Sequence, residues 1–342
     1  MKSVPSLSSL IVITLLSISC NTPTRDPFTR ETTAMNTFVS VTIYDSDIEG
    51  ARAHAAIDSA LAEVHRIELM ASDYSDTSEV GRINSHAGVE SVSVSPELVS
   101  LIEKSLEYAT KSAGAFDVTV GPLVKAWDFL ADHPRVPDQK VIAQLLTLVG
   151  KQHVSINGDK VFLKRRGMRL DLGAIAKGYA ADRSSGILKR LALKRFIVDI
   201  GGNLSVFWDG TRVLDSTVAE ILIRHPRKDG EFFGSFMMGT GGVSTSGDYQ
   251  RYFVHKGVRY HHILNPATGY PAQGVVAVTI VASDATTADA LSTLVFVLGR
   301  EHGMEFIRNA AGVEGMVVWE SGDSLVHDLS PGFEKQFIRS ND

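Results

Sequence analysis

Asp289 and Thr293, in Ala288-Asp-Ala-Leu-Ser-Thr293, stand four residues apart in a segment whose apolar spacing predicts a helix. Their side chains then share one face, with Ser292 beside them. A carboxylate and hydroxyls are hard oxygen donors of the kind magnesium accepts, and magnesium fills the rest of its octahedron with water and substrate phosphates. An Asp early in a helix serves a cap or the dipole equally well, so the residue types leave both readings open. Arg169-Leu-Asp171-Leu-Gly173-Ala174-Ile-Ala176-Lys177-Gly178-Tyr179 reads as a strand passing through a glycine into a helix. Such a junction offers backbone groups and a positive helix end to an anion; Lys177 would add a cation and Asp171 a hydrogen-bond acceptor. A plain turn with an exposed lysine fits that segment as well. Tyr260-His261-His262-Ile263-Leu264-Asn265-Pro266 sets two histidines before an Asn-Pro turn. If extended, they point apart, and at most one faces a site as acid, base or donor.

Other chemistries fail on spacing. There is no Gly-x-x-x-x-Gly-Lys-[Ser/Thr] phosphate loop and no His-Glu-x-x-His zinc helix. Asp45-Ser-Asp47-Ile-Glu49-Gly50 opens like a calcium loop, but its twelfth position is Ala56 and not a bidentate acid. Gly242-Val-Ser244-Thr-Ser246 lacks the final glycine of a nucleophile elbow, and Gly239-Thr-Gly241-Gly242 lacks dinucleotide spacing. Asp199-Ile-Gly201-Gly202-Asn203 is a glycine turn after a strand, explained as well by backbone packing as by a ligand.

The elements that must position these groups are mixed. Residues 35–44 alternate as a half-buried strand, and Ser46 with Glu49 forms a candidate capping box before a helix carrying Ile57, Leu61 and Val64. Ser95-Pro96 starts a second helix and Asp138 to Gly150 a third; Val154-Ser-Ile156 and Val161-Phe-Leu163 flank Asn157-Gly158 as a hairpin. Residues 196–200, 219–223 and 275–282 read as buried strands, and Thr286 to Leu298 as a helix stopped by Gly299. Without regular βαβ spacing the fold class is α+β, a single unit with no internal linker. The 342 residues are 44% hydrophobic and 21% charged, ample for a core. The net charge of −5, from 34 Lys+Arg against 39 Asp+Glu, offers no footprint for nucleic acid.

The amino terminus reads as an address. Lys2, then Leu10-Ile-Val-Ile-Thr-Leu-Leu16, has the build of a secretory signal too short to span a bilayer. Leu16-Ser17-Ile18-Ser19-Cys20 resembles a bacterial lipobox, with Ser17 where Leu is usual, and Cys20 is the only cysteine. Residues 1–19 are therefore expected to be a lipoprotein signal peptide and residues 20–34 a lipidated Cys20 with a polar tether. Residues 35–342 are then expected to be the folded unit, held to a membrane on the periplasmic side of a bacterial envelope.

Met35-Asn-Thr37, Ser72-Asp-Tyr74, Ala115-Phe-Asp117-Val-Thr-Val-Gly-Pro122, Asp171-Leu-Gly-Ala-Ile-Ala-Lys177-Gly and Asp199-Ile-Gly-Gly-Asn203 follow one another along the chain. Ser244-Thr-Ser-Gly-Asp-Tyr249, His262-Ile-Leu-Asn-Pro-Ala-Thr-Gly269 and Ala288-Asp-Ala-Leu-Ser-Thr293 complete the series. In this order, over about residues 35–320, they resemble the ApbE family of FAD:protein FMN transferases. The resemblance implies an FAD cleft between subdomains and Mg²⁺-assisted movement of FMN from FAD onto a threonine of an acceptor redox protein. That acceptor carries a Ser/Thr-Gly-Ala-Ser/Thr-type motif, and AMP is released. It implies Mg²⁺ ligands at Asp289, Thr293, Ser292 and the Ala174 carbonyl, and FAD contacts at Met35, Tyr74, Ala115, Phe116, Asp117, Asp171, Lys177 and Ile263. His262 matches the histidine that assists catalysis. Asn36 stands where many relatives have Gly and Asn265 where Asp is frequent. The family also contains FAD pyrophosphatases giving FMN and AMP; Tyr74, an aromatic of the kind transferases set against flavin, favours transfer. A lipid-anchored flavin carrier without chemistry is the reading from another class.

Overall fold

The computed structural model describes residues 26–209 and 218–340. The signal, Cys20 and the start of the tether lie outside the described residues. An eight-stranded antiparallel sheet organises the chain, in the order Phe28–Ala34, Thr37–Ile43, Arg195–Ile200, Asn203–Trp208, Gly241–Gly247, Ala277–Ala282, Glu314–Ser321 and Ser324–Leu329. Side-chain alternation gives each face its own layer. Phe196, Val198, Val278 and Ile280 face the helices Gly50–Ala71, Ala176–Arg190, Ala285–Leu298 and Arg300–Asn309. Leu204, Val206 and Trp208 face the small sheet of Ala219–Arg224, Phe232–Met238 and Ile338–Arg339. Helices on one face and a second sheet on the other make the fold α+β, as the mixed pattern requires. A third apolar cluster, centred on Trp127, joins Gly121–Trp127 and Gln139–Leu146 to the hairpin Tyr252–His255/Val258–His261, and Trp127 Nε1 donates to Gly269 O at 2.8 Å.

Several local expectations are corrected. Residues 28–34, placed in the tether, are the edge strand of the main sheet; their polar composition is that of a strand largely facing solvent. The next strand starts at Thr37, because Met35 and Asn36 form the turn between them with φ of 52° and 56°. Asn tolerates that left-handed conformation and Met does not ordinarily adopt it. The Ser46–Glu49 capping box does not form, since Glu49 is the N-cap residue and makes no side-chain cap. The third helix ends at Leu146, short of Gly150. Asn157 pairs with Lys160, so the hairpin loop is Gly158-Asp159. Residues 169–175 form no strand and run irregularly into the helix at Ala176. The helix starts at Ser95 and Asp138 are capped as expected, with Ser95 Oγ accepting from Leu98 N and Asp138 Oδ1 from Lys140 N.

Candidate active site

The site grows from the crossing of helices Ala176–Arg190 and Ala285–Leu298. Asp284 caps the second helix through Thr287 N at 2.7 Å, and Asp182 of the first accepts from Ala285 N at 3.0 Å and Thr286 N at 2.8 Å. Two carboxylates at one helix N-terminus satisfy its free N–H groups and fix the second helix against the first. Gly178 permits the contact: a Cβ there would sit 2.1 Å from Ala285 O and 2.7 Å from Asp289 Cβ.

Asp289 is thereby buried at the crossing, 3% exposed. Its Oδ2 accepts from Gly178 N at 2.9 Å, and its Oδ1 lies 3.8 Å from Lys177 Nζ. Burial raises the carboxyl above its ordinary range, and Lys177 with the Gly178 N–H offsets only part of that. A buried carboxylate with so little counter-charge is suited to a cation. Thr293, one turn on, is half-buried with its hydroxyl 3.4 Å from Ser246 Oγ. Among the described residues no group of three or more His, Cys, Asp or Glu gathers as a metal centre. The donors are instead one carboxylate, a hydroxyl and nearby backbone, a sparse oxygen set that fits magnesium and not zinc. Ser292 fits less well as a ligand. It is fully buried, its one proton serves Asp289 O at 2.9 Å and Ser244 Oγ at 3.0 Å, and Ser246 Oγ lies against it at 2.9 Å, so its hydroxyl is surrounded by protein partners.

Lys177, besides facing Asp289, donates to Gly173 O, so the ammonium is held over the irregular segment that includes Ala174. Asp171 Oδ1 accepts from Gly173 N at 2.7 Å and shapes the same turn. Asp171 also lies near Asp73, whose carboxyl is pushed up to about 6 by burial and then by the Asp171 charge. Tyr74, next in sequence, is 65% exposed, its ring open to solvent. Arg169 Nη2 ties the segments together through Asp73 O at 2.7 Å.

The two histidines point apart as the extended reading requires. His261 is buried, with Nε2 2.8 Å from Ala272 O and its ring edge-on to Phe296 at 5.4 Å. His262 lies on the other side, half-buried, with Nδ1 buried and without a partner. Burial first, then the charges of Arg251, His261 and Lys177, lower it to about 3, so it is neutral at pH 7. Arg251 was not singled out by sequence, yet Arg251 O accepts from His262 N at 3.1 Å and Arg251 Nη2 donates to Asn36 O at 2.8 Å. It joins the catalytic histidine candidate to the Met35–Asn36 turn, whose Met35 N donates to Glu68 Oε1 at 2.6 Å. A lone arginine at a strand start carries no motif, which is why only the fold reveals it.

Phe116 and Ile263 have their side chains turned into the protein. They are 2% and 5% exposed within the main core, so only their backbones can meet a ligand. Ala115 is half-buried, and Asp117 accepts from Thr119 N at 2.8 Å and Thr119 Oγ1 at 2.6 Å, its carboxyl raised by burial. Asp117 lines a cleft of about 420 Å³ with Gly114, Lys151, Pro266 and Ala267.

Residues 35–317 match the model of the ApbE family. The chain is 35% identical over 308 residues to an FAD:protein FMN transferase of Treponema pallidum, covering 85% of this chain and 84% of that protein. It is 30% identical over 281 residues to the Escherichia coli K12 protein of the same description, covering 80% and 79%. Among solved structures, the ApbE protein of Thermotoga maritima superposes with a TM-score of 0.81 at 35% identity, covering 91% of this chain and 99% of that one. The flavin transferase ApbE of Vibrio cholerae gives 0.78 at 25% identity, covering 91% and 100%.

Proposed function

The chain belongs to the ApbE family, and from that premise we propose that it is an FAD:protein FMN transferase whose reaction depends on Mg²⁺ held at Asp289 and Thr293. In this reading the Ala174 carbonyl completes the protein's ligands, with Ser292 behind them. FAD contacts Met35, Tyr74, Asp171, Lys177 and the backbone of 115–117 and 263. The observation that carries it is Asp289: a buried carboxylate, with a single ammonium at 3.8 Å, on the helix face predicted to bind a divalent ion.

The reaction moves the FMN phosphoryl group to a threonine Oγ of an acceptor protein. An O–P bond forms, the pyrophosphate P–O bond breaks, and AMP leaves with the electron pair. When bound, the divalent ion supplies charge neutralisation on the pyrophosphate. Lys177 adds a cation on the same side, and its bond to Gly173 O holds it in place before substrate arrives. His262 enters neutral, so one of its two ring nitrogens carries a lone pair, and it takes the threonine proton. Burial makes it a weak base in the free protein, and the negative charge of bound pyrophosphate opposes that depression. Tyr74, exposed and flat, offers a surface for the flavin ring, which favours transfer over hydrolysis. We place the enzyme on the extracytoplasmic side of a bacterial membrane, anchored through Cys20, on the strength of residues 1–20 alone.

The test is an incubation of protein, FAD, Mg²⁺ and an acceptor domain bearing a Ser/Thr-Gly-Ala-Thr segment. A mass gain equal to FMN on the threonine is the expected outcome. Free FMN with unmodified acceptor would replace transfer by pyrophosphatase activity, and intact FAD would reduce the protein to a flavin carrier.

A further inference from the structure

Behind Thr293 lies a line of buried polar groups that the proposed chemistry does not use. Asn203, Ser244, Ser246 and Ser292 are 4%, 1%, 9% and 0% exposed and come from two neighbouring strands and the 285–298 helix. Their contacts form one chain: Asn203 Oδ1 to Ser244 Oγ at 2.7 Å, Ser244 to Ser292 at 3.0 Å, Ser292 to Ser246 at 2.9 Å, and Ser246 to Thr293 Oγ1 at 3.4 Å.

The end of the chain fixes its direction. Asn203 Nδ2 donates to Ile200 O at 2.9 Å. A carbonyl can only accept, so the amide cannot be flipped, and Oδ1 is the atom that meets Ser244. Oδ1 can only accept too, so Ser244 spends its single proton there. Four hydroxyl protons then serve five contacts, and one assignment leaves none without a proton: Ser292 shares its proton between Ser244 and Asp289 O, Ser246 donates to Ser292, and Thr293 to Ser246. The bond from Ser292 to Asp289 O is a branch of the same proton and leaves the direction unchanged, since Ser292 still accepts from Ser246. Reversing the chain would leave a buried oxygen–oxygen contact with no proton between its atoms, an unfavourable arrangement.

We propose that Asn203, Ser244, Ser292 and Ser246 are positioning residues that polarise Thr293, drawing its proton toward the sheet so that its lone pairs face the cation site beside Asp289. This rests on the reading of Asp289 and Thr293 as ligands and gives Ser292 its place behind them. A hydroxyl whose proton pointed at the cation would repel it, so the direction of the chain is a term in metal affinity.

Mn²⁺ titration of the full chain in the presence of FAD, followed by electron paramagnetic resonance of the free ion, tests it. Ser246→Ala is expected to weaken Mn²⁺ binding about tenfold, the lower end of what loss of a ligand's own partner costs. Ser246→Cys, a poor acceptor of nearly the same shape, should weaken it likewise if alanine loosens the strand. Ser246→Thr, which keeps the hydroxyl, should bind close to the parent protein. Parent-like affinity in folded Ser246→Ala, or equal weakening in the alanine and threonine proteins, would overturn the relay. Asp289→Ala separates the two levels: loss of Mn²⁺ binding there with no change at Ser246 removes the relay alone, whereas retained binding removes the metal reading itself.

Discussion

At the scale of single residues, Asp289 and His262 both sit in surroundings that shift their protonation away from that of the unfolded chain. Burial lifts the Asp289 carboxyl, so ionising it costs the metal-free fold more than it costs the unfolded chain. For an acid whose pKa is raised by folding, stability is lost as pH climbs through and above the ordinary carboxylate range. Asp289→Asn keeps the acceptor for Gly178 N–H and removes that charge, and Lys177 keeps its bond to Gly173 O. We therefore expect the metal-free variant to melt at the same temperature or a few degrees higher, while FMN transfer falls at least about a hundredfold. Calorimetry without metal and a transfer assay read the two halves; an equal loss of both would make Asp289 a structural residue. His262 runs the other way. Its pKa is lowered to about 3, against an ordinary value near 6.5, so the folded protein resists protonation that the unfolded chain accepts. Stability from this group is full above about pH 6.5 and is lost as pH falls toward 3. The urea midpoint of His262→Gln should change less between pH 6.5 and 4 than that of the parent, and its transfer rate should drop. Matching pH slopes would show that His262 is not the buried neutral group. Residue types and spacing offered both only as candidates, Asp289 beside a capping reading and His262 as one of two histidines, and the order of the motifs along the chain singled them out. The enclosure of Ser292 was not legible, since its partners Ser244 and Ser246 arrive from a strand more than forty positions away.

At the scale of elements, the site depends on how closely two helices cross. Gly178 and Gly186 lie on the same helix, Ala176–Arg190, and differ only in what surrounds them. At Gly178 a Cβ would overlap Ala285 O, whereas at Gly186 the nearest atom is Arg190 Nη1 at 3.5 Å. Gly178→Ala should cost about 1–3 kcal/mol through overpacking and push Asp289 off its position, raising the Mg²⁺ concentration needed for activity. Gly186→Ala should instead stabilise by about 0.5–1 kcal/mol, the ordinary gain of alanine over glycine in a helix. Urea denaturation of both variants with Mg²⁺ titration of activity checks the contrast; similar effects at the two glycines would mean the crossing is not tight. Helices with a complete local signature were readable: Ser95 and Pro96 begin one, and Asp284 and Gly299 bound another. Elements set by tertiary contact were not. The Ser46 box lost to a start at Glu49, and Phe28–Ala34 is a strand only because Thr37–Ile43 pairs with it across the Met35–Asn36 turn.

At the scale of the molecule, the sheet brings together stretches from the first strand turn, the 171–177 segment, His262 and the 285–298 helix, so no local window of sequence contains the site. Order along the chain carried that information, through the resemblance of eight short motifs, and geometry then sorted direct contacts from supporting ones. Among the described residues the apolar clusters draw on residues from Phe28 onward. Among the described residues no helix is long and apolar enough to cross a membrane. Cleavage before Cys20 would leave 33 basic against 39 acidic residues, a net charge of −6, which gives no electrostatic attraction to an anionic bilayer. If the enzyme is held at a membrane, the hold must therefore be the lipid on Cys20. The full chain with Cys20→Ser, expressed in a bacterium that processes lipoproteins, is expected to leave the membrane fraction and lose incorporation of labelled palmitate. Its transfer rate on a soluble acceptor domain should stay that of the parent, because the proposed site is built from residues 35–293. A Cys20→Ser protein that still sediments with membranes, or a parent protein that takes up no label, would end the anchored reading while leaving the proposed chemistry standing.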